Sequence, residues 1–404
     1  MATTKALAKS APLWGLVALL FAGSALNYVD RQVVALLKPT LEAHFHWNDR
    51  DYAHLGSAFQ LASAAALLFV GVFVDRVGVR VAYAAAVIVW SFAGMGHALA
   101  RTVEQFVAAR VILAVGETVT TPAAVKASAL YFTLEQRNQA IGIVNAAPNI
   151  GAILTPLIIP PLALAFGWQS AFWVTGGLGL VWLAAWWMNT GKLQPVATVA
   201  ERAPVRWADL LADRRSWAVI GAKFLTDFVW FFVLFWMPDF FNRNFAMDQG
   251  HLGRPVALVF SLAAVGSLVS GWLYPWLLSR GCSPATARKR SMLFFALSVL
   301  VMPLALATHN PWLAAFAIGI GLFAHQGFST NLFGLASTIV PLDRLARVIA
   351  LGAIAGNLSG TGMIELAGWS LQNGFGYAPM FALCACAYLA ALGWIVAVLR
   401  EDVA

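Results

Sequence analysis

The sequence predicts an all-α polytopic membrane protein, twelve transmembrane helices arranged in two six-helix halves. Three observations predict it. The 404 residues are 60% hydrophobic and only 11% charged, where a soluble domain carries about 25% charged residues. Apolar runs long enough to cross a bilayer, which takes roughly 20 residues, recur along the whole chain. The longest polar interruption, 190–216, has six such runs on either side.

The runs fall at 14–37, 53–74, 81–100, 104–131, 138–165, 169–189, 217–241, 254–279, 291–308, 311–340, 345–372 and 376–399. They divide the chain into a first half, 1–189, a linker, 190–216, and a second half, 217–404. The net charge of +8 would suit nucleic acid if it were clustered, but the Lys and Arg are spread through short loops, so no nucleic-acid partner is expected. They set topology instead. Only Lys38, Arg50, Arg101, Arg243 and Arg254 fall on the side opposite the termini. The positive-inside rule therefore puts both termini in the cytoplasm. Lys5, Lys9 and the small residues Ala22-Gly23-Ser24-Ala25 imitate a signal peptide, yet apolarity running on to Leu37 and eleven further spans favour an uncleaved first helix.

The first run is interrupted by Asn27-Tyr28-Val29-Asp30-Arg31. A charge near the middle of a membrane helix costs roughly 2.5–3.5 kcal/mol on insertion scales and usually faces a bundle interior or a wet cavity. A carboxylate beside a guanidinium there marks an ion or substrate site, or a structural ion pair between helices. Gln60 and Ser63 follow in the second run.

Between the second and third runs stands Gly71-Val-Phe-Val-Asp75-Arg76-Val-Gly78-Val-Arg80. It allows only a tight turn, for which Gly78 supplies the freedom. The pattern resembles the signature loop of the major facilitator superfamily, in which the aspartate and basic residues latch the two halves on the cytoplasmic side. The resemblance implies that role for Gly71, Asp75, Arg76, Gly78 and Arg80. Val79 stands where the family usually has a basic residue. The same loop also reads simply as charge obeying topology.

The fourth run carries Arg110 and Glu117, seven apart and so close to one helix face. At 1.5 Å per residue, Asp30, Arg31 and Arg110 lie at a common depth roughly 9 Å below the outer surface, with Glu117 nearer the midplane. Two carboxylates and two guanidiniums can neutralise one another, or be rewired by an arriving anion or proton. A carboxylate withdrawn from water favours its protonated form unless a cation holds the charge, so Asp30 and Glu117 are candidate proton carriers. Arg31 suits a carboxylate, which a guanidinium grips bidentately. An internal bridge is the plainer reading of Arg110 and Glu117.

The linker holds Pro195 and Pro204, then Trp207-Ala208-Asp209-Leu210-Leu211, the pattern of a short amphipathic surface helix. A shift of 208 (325 − 117) pairs Glu117 with His325, Glu135 with Asp343 and Asn149 with Asn357, as internal repeats would. Two halves with a site at their interface is a common transporter plan.

In the seventh run, Lys223 and Asp227 stand four apart, able to pair along the helix or to offer Lys223 to an anion, with Trp230 as a stacking surface. The tenth reads His325-Gln326-Gly-Phe-Ser329-Thr-Asn331, too polar to face lipid; His325 either senses pH or only hydrogen-bonds. The eleventh has Gly352, Gly356 and Gly360, a close-packing stripe, with Asn357 a candidate hydroxyl ligand and Glu365 nearer the outer end. Cys282, Cys384 and Cys386 make no disulfide framework. His44, His46, His54 and His251 show no metal-binding pattern. No metal and no cofactor are expected.

Several stretches together resemble one branch of the superfamily, the anion:cation symporters, and within it bacterial hexuronate transporters. They are Asn27–Arg31, Gly116-Glu-Thr-Val-Thr-Thr-Pro-Ala-Ala-Val-Lys126, Lys223–Asp227, Ala285-Thr-Ala-Arg-Lys289 and His325-Gln-Gly-Phe-Ser-Thr-Asn-Leu-Phe333. The resemblance implies the major facilitator fold and proton-coupled uptake of a sugar acid such as glucuronate or galacturonate across the bacterial cytoplasmic (inner) membrane. It implies that Arg31 binds the substrate carboxylate while Asp30 and Glu117 carry protons. Tyr28, Arg110, Lys223, Gln60, Trp230, Gln326 and Asn357 complete the expected substrate set, with Asp227, His325 and Asn149 as further candidates. Many relatives have a tyrosine near Ser63, which leaves an aldonate such as galactonate, or anion export, as the alternative. The expected partners are the sugar-acid anion, protons and the lipid bilayer, with the protein a monomer. Absence of HExxH, GxSxG or clustered Cys/His patterns argues against an enzyme. A transporter-shaped sensor would be expected to carry a signalling tail, where this chain ends in Glu401–Ala404.

Overall fold

The computed structural model describes residues 2–132, 134–191, 193 and 207–399, with side chains described for 14–132, 136, 140–191, 193, 208–341 and 344–399. Among the described residues every regular element is helical. The first seven helices are α1 (Ala2–Phe45), α2 (Asp49–Val77), α3 (Val79–Leu99), α4 (Val103–Glu117), α5 (Thr120–Tyr131), α6 (Leu134–Phe166) and α7 (Trp168–Thr190). After the linker come α8 (Trp207–Ala212), α9 (Arg214–Phe245), α10 (Gly253–Ser279), α11 (Pro284–Ser298), α12 (Pro311–Ile339), α13 (Leu342–Gln372) and α14 (Ala378–Val398). The α11 helix tightens into a 3-10 stretch, Val299–Leu306, around Pro303.

The helix starts follow local chemistry. The side chains of Thr102, Asp213, Ser283 and Asn310 accept backbone N–H bonds at the heads of α4, α9, α11 and α12, satisfying donors that a helix N-terminus leaves unpaired. Pro284 and Pro311 sit in the first turn, where a missing N–H is harmless.

Eleven stretches, counting 103–131 and 284–306 as one each, are long and apolar enough to cross a membrane. The remaining expected span is α1, 44 residues long, whose Asn27–Arg31 knot dilutes its apolarity. The linker helix forms as α8, with Leu210 buried and Asp209 exposed. Pro195, Pro204 and Glu401–Ala404 lie outside the described residues, as do the side chains of Glu135 and Asp343.

Contacts divide the chain into two compact units, 1–37 with 65–201, and 38–64 with 202–404. Residues 38–64, the end of α1 and the start of α2, therefore group with the second unit, and the boundary between units at 201/202 falls inside the 190–216 linker. In unit 1, an aromatic cluster of Tyr83, Trp90, Trp182 and Trp186 joins α3 to α7, and the Trp182 indole donates to the Leu19 carbonyl of α1 at 2.8 Å. At Gly151 of α6 a Cβ would strike the Ala25 carbonyl of α1, so only glycine lets these backbones approach so closely.

In unit 2, α12 is fastened to its neighbours by Asn331. Its amide donates to Ser270 Oγ at 2.7 Å, Ser291 Oγ at 3.0 Å and the Gly327 carbonyl at 2.9 Å. The polarity that barred span 10 from lipid is thus spent partly on helix packing.

Candidate functional site

In unit 1 the helix carrying Asn27–Arg31 meets the end of α4. Arg31 Nε donates to Glu117 Oε2 at 2.8 Å, and the Glu117 side chain is fully buried. Arg110, itself buried, donates through a guanidinium nitrogen to the Arg31 carbonyl at 3.2 Å. Asn27 Nδ2 donates to the Glu117 carbonyl at 3.2 Å and to Thr120 Oγ1 at 3.4 Å. The Arg31 guanidinium lies 5.0 Å from the centre of the Tyr28 ring, within cation–π range. Asp30 is buried on the same helix, and its Oδ1, like Glu117 Oε1, has no protein hydrogen-bond partner.

The α4 helix ends at Glu117 and α5 restarts at Thr120, so the glutamate stands at a break in a spanning segment. Two carboxylates and two guanidiniums make this cluster neutral as a whole. Beside it lies a cavity of about 40 Å³ of mixed lining, with Ser24, Asn27, Tyr28, Thr120, Thr121, Ser128 and Asn145 on its polar side. That volume suits waters rather than a sugar ring. Asn149 is buried on α6 nearby in sequence.

The loop residues resolve differently from one another. Asp75 pairs with Lys126 of α5 at 2.5 Å. Arg80 donates to Thr190 Oγ1 at 3.2 Å and to the Trp187 carbonyl at 3.0 Å, with its guanidinium 4.1 Å from the Trp187 ring centre. All these partners belong to unit 1. Arg76 and Gly71 are exposed, and Gly78 takes a φ of 79° between α2 and α3.

In unit 2, Lys223 Nζ and Asp227 Oδ2 pair along α9 at 2.7 Å, the plainer of the two arrangements their spacing allowed. The glycine stripe of α13 packs here. A Cβ on Gly356 would clash with Asp227 Oδ2 and lie 2.9 Å from the Asp227 Cβ. Trp230 is buried with His325 stacked on it at 5.4 Å. His325 Nδ1 meets the Tyr388 hydroxyl at 2.7 Å, so the histidine is held by structural partners. Asn357 donates to the Ala353 carbonyl at 3.0 Å, and Gln326 is half-buried. Gln60 is fully buried, and neither its Oε1 nor its Nε2 has a protein partner. Of the expected substrate residues in this unit, Gln60 has a side-chain amide left entirely to a ligand or water.

Sequence reasoning missed a second charged cluster in unit 2. Lys38, fully buried, places Nζ 2.6 Å from Asp239 Oδ1, 3.1 Å from Asp49 Oδ1 and 2.5 Å from Glu42 Oε1. Arg243 Nε lies 2.8 Å from Asp239 Oδ2, and its other end pairs with Asp49. The Tyr377 hydroxyl donates to Asp239. A signal was available, since Asp239 sits in the apolar stretch Val229–Phe241 just as Asp30 sits in the first run. In the following loop, His251 bonds Asp248 at 2.7 Å, which holds the Asp248 carboxyl below its usual range.

The Major Facilitator Superfamily model matches residues 20–364. The hexuronate transporter of Escherichia coli (strain K12) is 25% identical over 394 residues, covering 92% of this chain and 90% of the relative. The D-galactonate transporter of Escherichia coli O6:H1 is also 25% identical, over 408 residues, with 94% of each chain covered. Among solved structures, that of a D-xylose-proton symporter superposes with a TM-score of 0.76 at 15% identity, covering 95% of this chain and 97% of the other. At that identity the likeness speaks to the fold.

Proposed function

Since the chain belongs to the major facilitator superfamily, we propose that it imports a sugar-acid anion with protons, a hexuronate such as glucuronate or galacturonate, by alternating access. The observation that carries this reading is the Arg31–Glu117 pair at 2.8 Å, its glutamate fully buried, set beside Asp30 and Arg110. A guanidinium engaged with a carboxylate of the protein can exchange it for a carboxylate of the substrate. Glu117, relinquished by Arg31, then holds a proton, and Asp30 does the same. One bound anion and two protons leave the cluster with a single net charge, which keeps small the cost of moving uncompensated charge through a membrane core.

The halves 1–189 and 217–404, joined by 190–216, rock about the site. Gln60, with no protein partner for its amide, and Asn357, Gln326 and Trp230 read the hydroxyls and ring. Lys223 leaves Asp227 to face the anion as the second cation. Asp75, Arg76 and Arg80 latch the cytoplasmic side. The protein works as a monomer in a bacterial inner membrane with both termini cytoplasmic. An aldonate is the second reading, favoured by one observation, that the hexuronate and D-galactonate transporters are equally similar to this chain. The named relatives are transporters, and the chain is one rather than an enzyme.

The test is uptake into liposomes under an imposed inward proton gradient, with labelled glucuronate, galacturonate, galactonate and glucose. Gradient-driven uptake of hexuronates, absent for glucose and abolished by Asp30→Asn and Arg31→Ala, is the expected result. Uptake of galactonate alone would keep the mechanism and change the substrate. Normal transport by a folded Arg31→Ala variant would overturn the proposal.

A further inference from the structure

The second charged cluster has no part in the scheme above, and its position gives it one. Residue 38 begins the portion of α1 that groups with unit 2, and residue 64 ends the matching portion of α2. At its turn this hairpin is tied to α9 and the start of α14 by charge, and further along α2 by neutral contacts such as Tyr52 on Trp236 and Gly56 against Phe235 and Ile364. Lys38 and Arg243 face Glu42, Asp49 and Asp239, two positive charges against three negative, with the Tyr377 hydroxyl bonded to Asp239. Below the ions, the Tyr52 hydroxyl donates to the Phe235 carbonyl of α9 at 2.6 Å, and Ser57 donates to Glu365 of α13. One turn further along α2 is Gln60, buried and without a protein partner for its amide.

Ions are a poor choice for permanent adhesion. A buried ion pair is often no more stabilising than well-packed apolar residues, because desolvation offsets the Coulomb gain. They are a good choice for a contact that must part. Each separated charge is rehydrated as water enters, whereas separated apolar faces would be left wet and would close again. The cluster also lies where the helix ends turn, at the connections 46–48, 246–252 and 373–377, so water reaches it first.

We propose that Lys38, Asp49, Asp239, Arg243 and Tyr377 form a latch that closes the entry on the side opposite the termini. Its opening parts residues 38–64 from α9, α13 and α14 and exposes Gln60 to incoming substrate. This rests on the transporter reading but not on any particular substrate.

The test reads accessibility and needs no substrate. Ser57→Cys, nearly isosteric and about 12 Å below Asp49 at 1.5 Å per residue, is placed in a background of Cys282→Ser, Cys384→Ala and Cys386→Ser. Its labelling by a membrane-impermeant maleimide is timed in nanodiscs. Asp49→Asn and Arg243→Gln, which leave the Lys38–Asp239 pair in place, should each speed labelling by at least about tenfold, since each weakens two charge-assisted contacts. Arg243→Lys, which keeps the charge, should stay within about twofold of the parent. Asn331→Leu, which weakens unit 2 away from the latch, should leave the rate unchanged. Unchanged rates in Asp49→Asn and Arg243→Gln would overturn the proposal. So would equal acceleration by Asn331→Leu, since that marks general loosening. Failure of hexuronate uptake alongside the expected labelling pattern would sink the substrate reading and leave the latch standing.

Discussion

Replacing Glu117 by glutamine separates coupling from binding. Glutamine keeps the shape of the side chain and an acceptor for Arg31 Nε, so the 2.8 Å contact survives as a hydrogen bond to a neutral group. The Arg31 guanidinium stays charged, so the contact remains a charge-assisted bond, within the range of about 1.5–3 kcal/mol for such bonds, and only the ion-pair attraction to a carboxylate is lost. The substitution therefore weakens Arg31's attachment to the protein by about 1–1.5 kcal/mol. That energy no longer competes with the substrate carboxylate, so anion affinity should rise about tenfold. The proton that Glu117 would carry is gone.

Two transport measurements divide these effects. Accumulation driven by a proton gradient should disappear in Glu117→Gln. Counterflow, the exchange of labelled for unlabelled substrate with no net proton movement, should persist at a lower half-saturating concentration. A Glu117→Gln protein that still concentrates substrate against its gradient would refute the assignment of Glu117 as a proton carrier. One whose counterflow is also lost would place Glu117 in binding or packing instead.

Other substitutions test neighbouring parts of the argument. Arg31→Ala strands the buried Glu117 charge, and breaking a buried pair from one side costs about 3–5 kcal/mol; thermal unfolding should fall accordingly and recover in Arg31→Ala/Glu117→Gln, while transport stays lost in both. Asn331→Leu removes the bonds to Ser270 and Ser291, while Ser270 keeps its own bond to the Gly327 carbonyl, costing about 1–3 kcal/mol in a melting experiment with transport largely retained. Gly356→Ala forces α13 away from Asp227, an overpacking cost of about 1–3 kcal/mol, and should slow transport as well as lower the melting temperature. Asp75→Asn gives up a largely exposed pair with Lys126 and should change stability by less than about 1 kcal/mol; a large loss of transport without a loss of stability would support its latch role.

Much of unit 1's cluster was legible in advance. An aspartate and two arginines in apolar runs, with a glutamate seven residues from one of them, had to find partners, because a membrane core supplies none. Depth along two helices narrowed those partners to one another. Spacing could not say which carboxylate takes which guanidinium. The Arg31–Glu117 pair depends on how α1 rotates against α4. In unit 2 the spacing was ambiguous by nature, since Lys223 and Asp227 at four residues apart can always pair with each other, and they do. His325 and Trp230 stack on one another, and the histidine bonds to Tyr388, contacts that residue type alone did not show. Tyr388 lies 63 residues further along the chain (388 − 325), and no local pattern announces it. Asp239 stood out in its apolar stretch, but which residues it meets was not legible, since the members of the Lys38 cluster come from three distant parts of the sequence.

What the sequence by itself determined is whatever the bilayer dictates locally. Length of apolar run, turn glycines, capping residues and the price of buried charge all act within one helix, so spans, caps and the polar knot in α1 could be read directly. Only the tertiary structure decided which buried charges meet. It decided too that residues 38–64 of α1 and α2 group with residues 202–404, and that Gln60 keeps a buried amide with no protein partner. Those outcomes depend on helix rotation and register between segments far apart in sequence, quantities that no single helix encodes.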